Sequence, residues 1–146
     1  MRGWVFRIAI IAVIAIGALV LRDRLSGNAS DLKVGDCFDD PNATGEVSDV
    51  QHHPCNESHT AEVFFIGKLP DGAFPTSASV QDWAGQNCLP AWNTYTGKDF
   101  ASEEVLTIGW FRPNQDGWNG GDREITCYTV RSDGAAMTTS AKAAKP

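Results

Sequence analysis

Cys55, His59 and Glu62, with His52 and His53 just ahead of them, place a thiol, imidazoles and a carboxylate within eleven residues. These are the groups of acid–base, nucleophilic and metal chemistry. Their spacing narrows the choice. Cys55-x3-His59 has zinc-ligand types, but structural zinc is held by paired knuckles, and Cys88 and Cys127 have no second ligand of that kind near them. No metal is therefore assigned. His59 and Glu62 are expected to hydrogen-bond and order the loop after Cys55. The rival readings make them the acid–base pair of a small envelope hydrolase or metal-dependent enzyme, or part of a small-ligand or metal-binding sensor. The chain contains no G-x-S-x-G, HExxH, P-loop or G-x-G-x-x-G motif. Hence no catalytic residue and no cofactor is assigned, and a non-enzyme is expected.

Two further places draw attention. Trp118, in Gly-Trp-Asn-Gly-Gly, is either a lid over the core or a partner contact. It is the first choice for a partner-facing side chain, because Trp is enriched at binding hot spots. Asp122-Arg123 reads as an ion pair or turn bracket at the head of the last strand. Asp39-Asp40 and Glu103-Glu104 read as turn chemistry and a solvated strand start.

These residues must be held by a small scaffold. Residues 31–146 carry eight Lys and Arg against seventeen Asp and Glu, a net charge of −9, whereas residues 1–30 have a net charge of +3. An acidic domain disfavours nucleic-acid binding, which needs cations for the phosphates. Five Trp, seven Phe and two Tyr argue against a wholly disordered chain. A large multidomain enzyme does not fit in 146 residues.

Cys37, Cys55, Cys88 and Cys127 form an even set in a small domain, which suggests disulfides in an oxidising compartment. No C-x-x-C redox motif is present. Of three possible pairings, the sequential one, Cys37–Cys55 and Cys88–Cys127, is favoured. On the chain-entropy view those loops are worth roughly 3 and 4 kcal/mol.

Residues 60–67 and 123–130 read as strands, rich in β-branched and aromatic residues, with further strands near 47–53 and 103–112. Val80, Trp83, Ala84, Asn87 and Cys88 share one helix face, and Pro90 is expected to break or kink that helix. The expected fold class is α+β, with about four strands and one broken helix. Residues 132–146, without an aromatic, are expected to be a disordered tail.

Gly3 to Leu21 is apolar except for Arg7. About 20 such residues span a bilayer as a helix. Arg22-Asp23-Arg24 separates this run from the small residues Gly27-Asn28-Ala29, which is poor signal-peptide design. Residues 1–24 therefore read as a single-pass transmembrane anchor, 25–31 as a linker and 32–131 as the domain. The cysteines favour the cytoplasmic N-terminus, with the domain outside the cell membrane.

Val34-Gly35-Asp36-Cys37, Val50 to Cys55, and His59-Thr60-Ala61-Glu62-Val63 resemble the opening of the septum formation domain of actinobacteria. The similarity continues through Cys88, Trp92, Tyr95 and Gly97, and ends with Pro113, Trp118, Gly121-Asp122-Arg123 and Cys127. The resemblance implies a membrane-anchored or lipid-attached module on the outer face, linked to cell division or envelope assembly. It does not imply a reaction, and the leading expectation is a module that binds a protein partner at the envelope or division site.

Overall fold

The computed structural model describes residues 26–41 and 47–144. The anchor expected over residues 1–24 lies outside them. Among the described residues no helix is long and apolar enough to cross a membrane.

Six strands build one antiparallel sheet in the order β1-β3-β2-β4-β6-β5. They are β1 Ser26–Asn28, β2 Cys37–Asp39, β3 Asp49–His53, β4 Ala61–Lys68, β5 Leu106–Phe111 and β6 Glu124–Arg131. The longest pair, β4 and β6, is central, as the density of β-branched and aromatic residues predicts. A bulge between Val63 and Phe65 interrupts their register. Such a bulge bends the strand that carries it and sharpens the local twist. The α+β class stands, but the sheet has more strands than expected. Most of the predicted linker is β1 and a 3-10 turn, Ala29–Asp31. Ala29 and Leu32 of this stretch are buried, which gives it a place in the core.

The main helix, α1, spans Ser77–Thr96. The Thr76 hydroxyl caps its first turn, accepting from Ser79 N–H at 3.2 Å. Gly97, at φ 69°, ends it in the left-handed conformation that glycine adopts without strain. Val80, Ala84, Cys88, Trp92 and Thr96 recur every fourth residue as its buried stripe. The expected break at Pro90 does not occur. Pro90 and Gln86, whose carbonyl loses its donor, both stand on the exposed face. Water can satisfy that carbonyl, so the helix continues.

Cys88 joins Cys127, bolting α1 to the central strand β6, with Cα atoms 6.2 Å apart. Cys37 joins Cys55, tying β2 to the loop before β4, with Cα atoms 5.3 Å apart. Both bonds are the favoured sequential pairs. Between helix and sheet lies one core, with Phe64, Leu69, Trp92, Ile125 and Cys127 at its centre. The other sheet face carries a second cluster around Phe38, Val50, Val63 and Tyr128, with Leu32 folded over it.

The chain after β6 is not the disordered tail expected from its composition. Met137 is buried, and its backbone exchanges two hydrogen bonds with His59, at 2.7 and 3.0 Å. Composition missed this because individual polar contacts and one buried side chain anchor the segment, without any apolar periodicity.

Candidate functional site

His59 and Glu62 are both fully buried. They do not bond to each other as expected; each faces its own partners. The His59 Nδ1–H donates to the Glu57 carbonyl at 2.8 Å, which sets the tautomer. Its Nε2 has no hydrogen-bond partner among the described residues. The Glu62 carboxylate accepts from the Tyr95 hydroxyl and the Ser140 hydroxyl on one oxygen, and from Ala141 N–H on the other, each at 2.6 Å. Ala143 N–H adds a bond to the Tyr95 carbonyl at 2.9 Å. Glu62 is thus a clamp that holds the C-terminal segment against β4 and the end of α1. Burial, and then the neighbouring Glu62, raise the Tyr95 phenol above the ordinary tyrosine range.

Cys37, Cys55 and Glu62 bring three potential ligand atoms within 4.8 Å of one another. The disulfide removes both sulfurs as thiolates, and thiolate is the form that binds metal. His53 pairs with Asp39 across β2 and β3, Nε2 to Oδ2 at 2.9 Å, away from His59's partners. His52 is half-buried on the neighbouring position of β3. The histidines and Glu62 therefore do not converge on one reactive point.

Trp118 is not the partner-facing residue that its type suggested. It lies in a short helix, α2, Gln115–Asn119, and is only 5% exposed. Its indole N–H donates to the Gly72 carbonyl at 3.2 Å, and the edge of Phe74 packs on it. The Arg123 guanidinium lies 3.8 Å from the centre of its ring. Arg123 also donates to the Trp118 carbonyl at 2.8 Å and pairs with Asp71 at 3.0 Å. Asp122 serves as the turn bracket, its Oδ1 accepting from Glu124 N–H at 2.9 Å. Trp118, Asp122 and Arg123 together lock the lid that closes one end of the helix-side core.

An open groove among the described residues lies elsewhere. On the sheet face away from α1, a groove of about 910 Å³ runs between the β1 turn and α2. Phe111 and Tyr128 form part of its lining, with Asp40, Asp122 and Glu124 as its acids and Arg112 as its cation. Arg112 is already engaged, against the Phe74 ring at 5.5 Å and the Pro75 carbonyl at 3.4 Å. Tyr128 rests directly over Gly109 of β5. A Cβ on Gly109 would stand 2.5 Å from the tyrosine ring, so only glycine admits this seating. Phe111 and Phe38 flank the same ring, with centroids 4.7 and 5.4 Å away.

Sequence reasoning missed this groove, although β6 carried the signal. Ile125, Cys127 and Thr129 must face the helix once Cys127 bonds Cys88. By strand alternation Glu124, Thr126 and Tyr128 then face the other way.

Among the described residues, one sheet, one long helix and the short α2 form a scaffold stapled twice and carrying a groove on one sheet face. Residues 34–146 match the family described as Septum formation, so this chain belongs to the septum formation family. No curated protein and no solved structure matches the chain.

Proposed function

We propose that this protein is a non-enzymatic binding module of septum formation, held at the cell membrane by its N-terminal segment and acting outside the cytoplasm on a protein partner. The observation that carries this reading is the groove, whose aromatic and polar lining is open to a ligand. By contrast, the two residues best suited to chemistry, His59 and Glu62, are sealed beneath the C-terminal segment. Membership of the septum formation family supports a role in division or envelope assembly. Two disulfides support an oxidising surrounding. The apolar run Gly3 to Leu21 supports the anchor.

The test is Ser48→Trp in the full chain, expressed from its own locus in the host. Ser48 is exposed and lines the groove, so an indole there would obstruct part of it. Loss of normal septa, seen by membrane-dye microscopy with an unchanged melting temperature, is the expected result. Normal septation with the groove obstructed would refute the reading.

A further inference from the structure

We infer that the groove takes an extended polypeptide segment that pairs a lysine or arginine side chain with Glu124 and offers a backbone group to the Tyr128 hydroxyl. This rests on the binding reading above and names the ligand class for that groove.

The first observation is Tyr128. It is only 8% exposed, yet it lines the groove and its hydroxyl has no hydrogen-bond partner among the described residues. The ring is buried while the hydroxyl itself reaches the groove, so a bound polar group can take the place of water there. Burial, and then the charge of Asp40, push this phenol above the ordinary tyrosine range. It is therefore a neutral hydroxyl at every physiological pH, able to donate or accept.

The second observation is Glu124. It is half-buried in the same lining, and its carboxylate has no partner among the described residues. Asp122 stands beside it, one oxygen bound to Glu124 N–H. The one cation of the described lining, Arg112, is engaged with Phe74 and Pro75. Among the described residues, this end of the groove therefore has negative charge to satisfy and no free cation. A half-screened carboxylate beside aromatic rings favours an ammonium or guanidinium group.

The separation of the two groups selects a chain over a small amine. Glu124 and Tyr128 lie four residues apart on one strand, about 13 Å at the usual strand rise. A single amine cannot reach both, whereas about four residues of extended peptide span the distance. Amide and hydroxyl side chains along the walls, among them Asn114, Gln115, Ser30 and Ser48, suit the backbone of such a segment. The net charge of −9 over residues 31–146 favours a basic partner in long-range approach as well.

The experiment is NMR titration of the labelled full chain in detergent micelles. The probe is the peptide acetyl-Gly-Ser-Lys-Ser-Gly-amide, alongside the same peptide with norleucine in place of lysine. Tri-N-acetylchitotriose is the carbohydrate control. The lysine peptide is expected to shift the amides of Glu124, Thr126 and Tyr128, and the norleucine peptide to bind at least about tenfold more weakly. Glu124→Gln should abolish the difference between the two peptides. Tyr128→Phe, which keeps the ring packing, should weaken both equally. Equal binding of the two peptides overturns the inference, as do shifts outside the groove, no shift at millimolar peptide, or shifts with the carbohydrate alone. Peptide binding in the groove combined with normal septa in the Ser48→Trp strain would fail the division role and leave this inference standing. Abnormal septa without lysine preference would do the reverse.

Discussion

Removing the Glu62 carboxylate should release the C-terminal segment before it unfolds the sheet. Glu62→Ala deletes the acceptor for the Tyr95 hydroxyl, the Ser140 hydroxyl and Ala141 N–H. At about 1 kcal/mol net per hydrogen bond, the full loss is about 3 kcal/mol. It divides unevenly. Ser140 is exposed and Ala141 half-buried, so when the segment lifts, their donors return to water. The two bonds they lose, about 2 kcal/mol, fall on the docking of the segment, which is about 30-fold in its open population. The half-buried Tyr95 keeps the rest as a cost to the domain. Further back, Met137 stays buried and bonded to His59, so the effect should fade toward residue 137. Amide hydrogen exchange reads this directly. Ala141 should exchange about 30-fold faster in Glu62→Ala, the Met137 amide should change less, and Cys127 in the central strand should follow only the global loss. Glu62→Gln keeps one acceptor oxygen but turns an amide donor toward a donor, and should fall between the two. An unchanged Ala141 exchange rate in Glu62→Ala would refute the clamp, whatever happened to the melting temperature.

Two other outcomes follow from the packing. Gly109→Ala forces a Cβ to within 2.5 Å of Tyr128, so it should cost about 1–3 kcal/mol in denaturant unfolding and move the Tyr128 ring signals, while Gly85→Ala, with open space at its Cβ, should not destabilise. Tyr95 and Tyr128 both have phenols raised above their ordinary value of 10.0 in the fold. The unfolded chain therefore releases these protons first as pH rises, so the contribution of these two phenols to stability should be constant below pH 10 and be lost above it; a melting temperature that held or rose beyond that pH would contradict their raised values.

How much of this was legible depends on whether the signal was local. The α1 stripe was readable because Val80, Ala84 and Cys88 recur at helical spacing. The disulfide pairs followed from their order, and Cys127 facing the helix agrees with them. Pro90 misled because its cost falls where the freed Gln86 carbonyl meets water, and exposure is a tertiary property. Trp118 misled in the same way: its residue type is shared by hot spots and core lids, and Arg123, Gly72 and Phe74 decide between them. Glu62 was noticed for its chemistry, but its partners lie 33 and 78 residues away, and no local pattern reveals them. The second sheet face was hidden for a simpler reason. Glu124, Thr126 and Tyr128 are ordinary strand residues until the helix is known to cover the opposite side.

That uncovered face explains why the domain is built with two cross-links. A sheet buried on one side by a single helix leaves its other side to be covered by whatever the chain has left. Among the described residues the turn after β1 covers one part, through Ala29 and Leu32, and the groove lies beside it. Closing it with a second helix would add apolar burial and abolish the opening. The two disulfides instead restrict the unfolded chain, a contribution of typically 2–4 kcal/mol each that does not depend on burying that face. Their placement fits this division: Cys88–Cys127 fixes the helix side of β6, and Cys37–Cys55 fixes β2 to the approach of β4. Neither cysteine pair is among the residues that line the groove. The cross-links thereby carry stability that a filled second layer would otherwise supply, while Glu124 and Tyr128 line the groove.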